Sequence, residues 1–220
     1  MALLIIPPTS GSVGNVTFSR GRSGAISRQR SNPTQPRTAA QVNARARLSS
    51  MAAAWRGLTD AQRAAWAAFA ASFTIVNRIG TTISITGSQA YVKVNTTNLL
   101  NGDAVVSVPP ALPAFVACTV TGLTATAGTQ LLEANGASPA AGTKYMFYAS
   151  PQKSAGVTFN GQFAYLQTLT TATASEFVLT TAFTAKYGAL IAGKKVFVRV
   201  VQSQAGMQDN GTLFAVIVGA

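Results

Sequence analysis

The sequence predicts an α+β N-terminal module, built of an extended arm, a helical pair, a short hairpin and a third helix, followed by an all-β antiparallel sandwich. Three observations carry that reading: a sharp change in charge near residue 78, helical periodicity between residues 39 and 100, and seven short β-prone segments after residue 114. The chain has 220 residues, enough for one large or two small domains whose cores need neither disulfide nor metal. Its 48% hydrophobic and 10% charged content describes a folded chain with a weakly charged, Thr-rich surface suited to packing against other subunits.

The elements follow in order. Residues 1–38 read as an extended basic arm: Leu3 to Ile6 is stopped by Pro7 and Pro8, and Gly11, Gly14, Gly21 and Gly24 separate the β-prone pieces Val16 to Ser19 and Ala25 to Arg28. This glycine spacing is no phosphate loop, because no Gly-Lys-Ser/Thr follows it. Residues 39–102 read as a helical module with a short hairpin. Thr38 can cap a helix from Ala39 to Arg56, along which Val42, Leu48, Met51 and Trp55 form one stripe. Thr59-Asp60-Ala61-Gln62 is a capping-box pattern opening a second helix to about Ser72, with Trp66, Phe69 and Phe73 on one face. Trp55 and Trp66 read as core between these helices, with exposed partner anchors as the alternative. Residues 74–78 and 82–86 alternate about Ile79-Gly80 as a hairpin, and Ser88 begins a third helix to about Leu100.

Residues 103–113, with Pro109, Pro110 and Pro113, read as a Pro-rich linker, and residues 114–220 as the β-sandwich. Its expected strands are 115–121, 129–134, 144–150, 162–169, 176–181, 195–202 and 212–218.

The composition excludes most catalytic designs. Histidine is absent, removing the commonest general base and metal ligand. Cys118 is the single cysteine and reads as a buried thiol on a strand. The five acids, Asp60, Asp103, Glu133, Glu176 and Asp209, are scattered along the chain with no close pair, so neither a carboxylate dyad nor a cation loop is readable. The expectation is a protein that is not an enzyme and uses no metal or cofactor. No apolar run approaches the roughly 20 residues of a membrane span, and the first residues lack a basic signal-peptide start. Synthesis in the cytoplasm and a soluble product are expected. The sequons at Asn15, Asn95 and Asn210 read as chance matches.

Charge supplies the positive clue. The formal net charge is +12, and ten arginines (Arg20, Arg22, Arg28, Arg30, Arg37, Arg45, Arg47, Arg56, Arg63 and Arg78) fall in the first 78 residues, where Asp60 is the one acid. Beyond them six lysines and Arg199 face four acids. So uneven a distribution implies two modules with different neighbours, and arginines this dense repel one another unless an external anion neutralises them.

Two resemblances add to this. Gly11-Ser12-Val13-Gly14-Asn15-Val16-Thr17-Phe18, then Asn32-Pro33 with Thr38-Ala39-Ala40-Gln41 and Arg45, then Trp55, Leu58-Thr59, Gln62-Arg63 and Trp66, and finally Thr86-Gly87, Ala90-Tyr91 and Asn95 resemble a group of uncharacterised tailed-bacteriophage virion structural proteins over residues 11–102. The C-terminal module, through Pro110 to Val120, Tyr145-Met146-Phe147-Tyr148 and Lys195 to Val200, resembles a fibronectin type III or immunoglobulin-like domain. It lacks that domain's tryptophan and offers only Tyr187 near the place of its tyrosine. The resemblances imply a virion protein present as a homo-oligomer or in many copies, made in the host cytoplasm, in head decoration or in the tail and its fibres. Its immunoglobulin-like sandwich would project from a repetitive lattice of other virion proteins. The candidate partner-binding residues are Arg20, Arg22, Arg28, Arg30, Arg37, Arg45 and Arg47, whose forked guanidinium groups suit an acidic protein surface. The alternative is nonspecific nucleic-acid binding, although no aromatic stacking platform accompanies the arginines.

Overall fold

The computed structural model describes residues 10–21, 24–30, 36–72, 74–76 and 82–220. The chain is mixed helix and antiparallel sheet, and it forms two compact units, residues 1–43 and 44–220. The division falls inside the first helix.

In the first unit, β1 (Gly11–Val13), β2 (Val16–Gly21) and β3 (Gly24–Gln29) pair in order as an antiparallel meander. The expected extended arm is therefore backbone-paired over much of its length. Gly14 turns β1 into β2 at φ +56°, a left-handed conformation that glycine adopts without steric cost. Helix α1 (Ala39–Arg56) starts where Gln41 N donates to Thr38 Oγ1 at 3.4 Å and Thr38 N donates back to the Gln41 side chain at 3.3 Å.

In the second unit, α2 (Asp60–Ala71) and α3 (Gly87–Leu100) each open on the same reciprocal box, Thr59 with Gln62 and Thr86 with Gln89. Between them, β4 (Thr74–Val76) pairs with β5 (Thr82–Ser84); the expected bend at Ile79-Gly80 lies outside the described residues. The helical core is chiefly an α2–α3 contact. Trp66, fully buried, meets Phe69 and Tyr91 edge-on at centroid separations of 5.5 and 5.3 Å, with Ala70, Ala90 and Val94 around them. Close approach is permitted by Gly87, where a Cβ would lie 2.8 Å from the Ala67 backbone nitrogen. Trp66 is core, as expected, whereas Trp55 sits half-buried at the edge, tilted against Tyr91. The α1 stripe is only partly covered: Met51 is buried, but Val42 and Leu48 are exposed.

Residues 103–119 contain neither helix nor strand, and the segment is fastened down. Fully buried Asn95 accepts from Val106 N at 2.8 Å and donates to Val106 O at 3.1 Å, while Trp66 Nε1 donates to Ser107 O at 2.9 Å. Lys144 Nζ reaches Asp103 at 2.6 Å and Asn101 O at 3.1 Å.

The rest of the chain supplies two antiparallel sheets on a common core. One has β6 (Val120–Thr126), β7 (Leu131–Gly136) and β11 (Glu176–Val178) in the order β11-β7-β6. The other is organised on the long β12 (Lys194–Gln204), which pairs with β8 (Thr143–Ala149), β9 (Lys153–Ser154), β13 (Met207–Gln208) and β14 (Thr212–Ile217); β10 (Ala164–Leu169) pairs with β8 on its far side. Alternate β12 residues Val196, Val198 and Val200 meet Leu132, Ala134, Tyr145, Phe147 and Phe177 in the core. The sheets are stitched at one edge by a parallel bridge between Thr126 and Gly219.

The region is not all-β. Residues 180–187 form α4 (Thr180–Tyr187), which ends the strand expected over 176–181 after Val178 and buries Phe183 in the same core. The first strand begins at Val120, not Phe115, because Phe115 packs on the helical core instead. Cys118 is half-buried in the irregular lead to β6.

Candidate interaction surfaces

The seven candidate arginines are divided between the two units. Arg20 lies on β2 with its backbone opposite Ala25, and Arg22 lies outside the described residues. Arg28, on β3 opposite Thr17, and Arg30, whose backbone nitrogen donates to Asn15 O at 2.7 Å, are exposed. Arg37 is exposed and holds a left-handed φ of +49° just ahead of the Thr38 cap. Arg45 is exposed on α1, and Arg47, two residues on, is half-buried with its Nε lacking a hydrogen-bond partner. The fold thus gathers Arg28 and Arg30 at one end of β3, and Arg45 and Arg47 on one helix.

The meander also carries apolar side chains. Residues opposite one another on an antiparallel ladder share a face, so the pairs Val13–Val16 and Gly11–Phe18 put Val13, Val16 and Phe18 together. Val13 is 74% exposed. Pairing satisfies the backbone here, but side-chain burial contributes little, so this sheet is expected to be the first part of the chain to open. Hydrogen exchange should show amides of residues 16–29 exchanging at least about tenfold faster than those of 196–201.

The acids are more organised than their sequence positions suggest. Asp60 pairs with Arg63 at 3.3 Å, and Asp209 accepts from the backbone nitrogens of Gln202 and Gly211 at 2.9 Å. Glu133 and Glu176, expected to lie apart, are brought together: Val178 is opposite Glu133 on the β7–β11 ladder, so Glu176 is its diagonal neighbour on the same face. Burial, and then the charge and hydrogen bonding of Glu176, hold the Glu133 carboxyl above its ordinary 4.5. The folded chain therefore binds this proton more tightly than the unfolded chain. The stability it contributes is complete below the ordinary glutamate range and is lost as pH rises through the folded value. Glu133→Gln, at a residue 8% exposed, is expected to raise the urea midpoint at pH 7.5 and leave it nearly unchanged at pH 4; an equal shift at both would remove the carboxyl pair as the cause.

Among the described residues, the second unit has a concavity of about 580 Å³ lined by Phe115, Cys118, Gln202 and Asp209, among others, and two smaller ones. A cleft of about 370 Å³ is lined by Tyr148, Phe163, Arg199, Gln208 and Asp209, among others. Its polar groups are engaged internally: Arg199 Nη2 donates to Asn210 O, and Gln208 Nε2 donates to Met146 Sδ at 3.1 Å. The other, about 400 Å³, is an apolar groove between α1 and α3 lined by Leu48, Ala52, Trp55, Ser88, Gln89, Val92 and Lys93. The sequence signal for it was the α1 stripe, read there as core.

Among the described residues there is no cluster of three His, Cys, Asp or Glu side chains able to hold a metal ion, and no helix is long and apolar enough to cross a membrane. Comparison with protein-family models, with curated proteins and with solved structures finds no match to this chain.

Proposed function

We propose that the chain is a bacteriophage virion structural protein that docks through its basic N-terminal region and helical module on an acidic, repetitive protein lattice. The observation that carries the docking mode is the segregation of ten arginines against one acid in the first 78 residues. The exposure of Arg28, Arg30 and Arg37 supports it, since guanidinium groups facing water are available to outside carboxylates. The virion setting rests on the resemblance over residues 11–102. In this reading the C-terminal region is an immunoglobulin-like sandwich carrying the helix α4 as an addition, and it projects from the lattice as head decoration or as part of the tail. Two antiparallel sheets sharing one core support that assignment.

The test is particle composition. Mass spectrometry of purified particles should find the protein at high copy, and replacing Arg20, Arg22, Arg28 and Arg30 together by Ser should lower its incorporation about tenfold or more without moving its melting temperature. Absence from particles, or undiminished incorporation of the four-Ser variant, defeats the reading. Retardation of duplex DNA at about 150 mM salt, lost steeply as salt rises, would transfer the arginines to a nucleic-acid role.

A further inference from the structure

The groove between α1 and α3 has a composition that specifies its occupant. Leu48, Ala52 and Trp55 follow one another at four- and three-residue spacings on α1, so they form a single ridge along one wall. Val92, with the stems of Gln89 and Lys93, forms the other wall on α3. Leu48 remains 55% exposed and Trp55 half-buried, leaving apolar surface in water on both the rim and the floor. Such a concave apolar strip, wide enough for a few aliphatic side chains, fits an amphipathic helix laid in a groove.

Charge selects among amphipathic segments. Arg45 lies seven residues before Ala52 and Arg56 four residues after it, so a cation stands on the same helical side at each end of the ridge. Lys93 adds a third on the opposite wall. Neither α1 nor α3 contains an acidic residue. A second copy of this chain would bring the same cations to the same place, in a protein of net charge +12. Nucleic acid would leave the apolar floor unfilled.

We propose that this groove seats an acidic amphipathic segment of a partner protein: a short helix whose apolar residues enter between Leu48, Trp55 and Val92, and whose carboxylates face Arg45, Arg56 and Lys93. The inference rests on the docking role proposed for the helical module and names the chemistry of the partner's contact.

The test uses the full chain and a synthetic helical peptide with Leu at positions i, i+4 and i+7 and Glu on the flanking positions. Titration calorimetry measures affinity, and tryptophan emission reports the site, because Trp66 is fully buried and only Trp55 borders the groove. The Glu-flanked peptide should bind and shift the emission to the blue. A Lys-flanked peptide with the same Leu positions should bind about tenfold more weakly or worse. Leu48→Arg, at an exposed position, and Ala52→Leu, which fills the groove without changing charge, should each weaken binding about tenfold with unchanged melting temperatures. Absence of binding, equal affinity for the two peptides, or equal affinity of both variants overturns the proposal. So does a dimer in sedimentation that Leu48→Arg disperses, which would make the groove a self-interface. Peptide binding is independent of particle composition: a chain that binds the peptide but is missing from particles keeps the groove and loses the lattice, and the converse loses the groove alone.

Discussion

Trp66→Ala is expected to cost about 3–5 kcal/mol of unfolding free energy, the range for removing a fully buried large aromatic side chain. The fully buried indole touches Phe69 and Tyr91 edge-on, and its Nε1 supplies a proton to Ser107 O. Truncation leaves a cavity between α2 and α3 and strips that carbonyl of its donor, and the two losses add. Against the roughly 5–15 kcal/mol that holds a typical domain together, this is a large fraction. Urea unfolding followed by far-UV circular dichroism measures it. Trp66→Phe, which keeps most of the volume and loses the hydrogen bond, should fall between the two. A loss below about 1 kcal/mol for the Ala variant would mean that the helical core does not depend on its largest residue.

Gly206→Ala is expected to cost about 2–5 kcal/mol, combining roughly 1–2 kcal/mol for a left-handed backbone with about 1–3 kcal/mol for overpacking. Gly206 has φ +78° in the turn between β12 and β13, and a Cβ there would lie 2.5 Å from Val94 O and 2.7 Å from Asn98 Oδ1. The added methyl group has nowhere to go unless α3 and the β12–β13 turn separate. Gly102 provides the control: its φ is +76°, yet its surroundings are open, so Gly102→Ala should show the backbone cost alone. Equal losses at the two positions would refute the steric account. A larger loss at Gly206, accompanied by a change in Trp55 emission, would place the strain at the helix.

The helices were legible because their starts are written in adjacent residues, although the third was expected to begin at Ser88 and opens instead at Gly87 on the Thr86 cap. Thr38 with Gln41, Thr59 with Gln62 and Thr86 with Gln89 are the same four-residue pattern, and each forms a reciprocal cap. Most strands after residue 130 were legible for a related reason, since turn residues punctuate them. Helix α4 was not. Thr180, Thr181 and Thr184 are poor helix formers, and Leu179 at the N-cap offers no side-chain bond. What holds that helix is Phe183 entering the core and Thr180 Oγ1 accepting from Leu132 N at 2.9 Å, a contact across 48 residues. The Glu133–Glu176 pair was hidden in the same way, since only the β7–β11 register brings together side chains 43 positions apart in the sequence. The α1 stripe gave the opposite difficulty. Leu48 and Trp55 announce an apolar face, but periodicity cannot say whether the chain covers that face or leaves it open.

Met207 is counted in the helical core with Trp66 and Tyr91, although it belongs to β13, more than a hundred residues beyond α3. During synthesis the helices therefore leave the ribosome without the side chain that completes their packing. They must wait until residue 207 has been made, and a contact of such long sequence separation closes late in folding. A nascent chain stalled before residue 207 would present Tyr91 and Val94 unfinished, making this interval the one in which chaperone capture or premature association competes with folding.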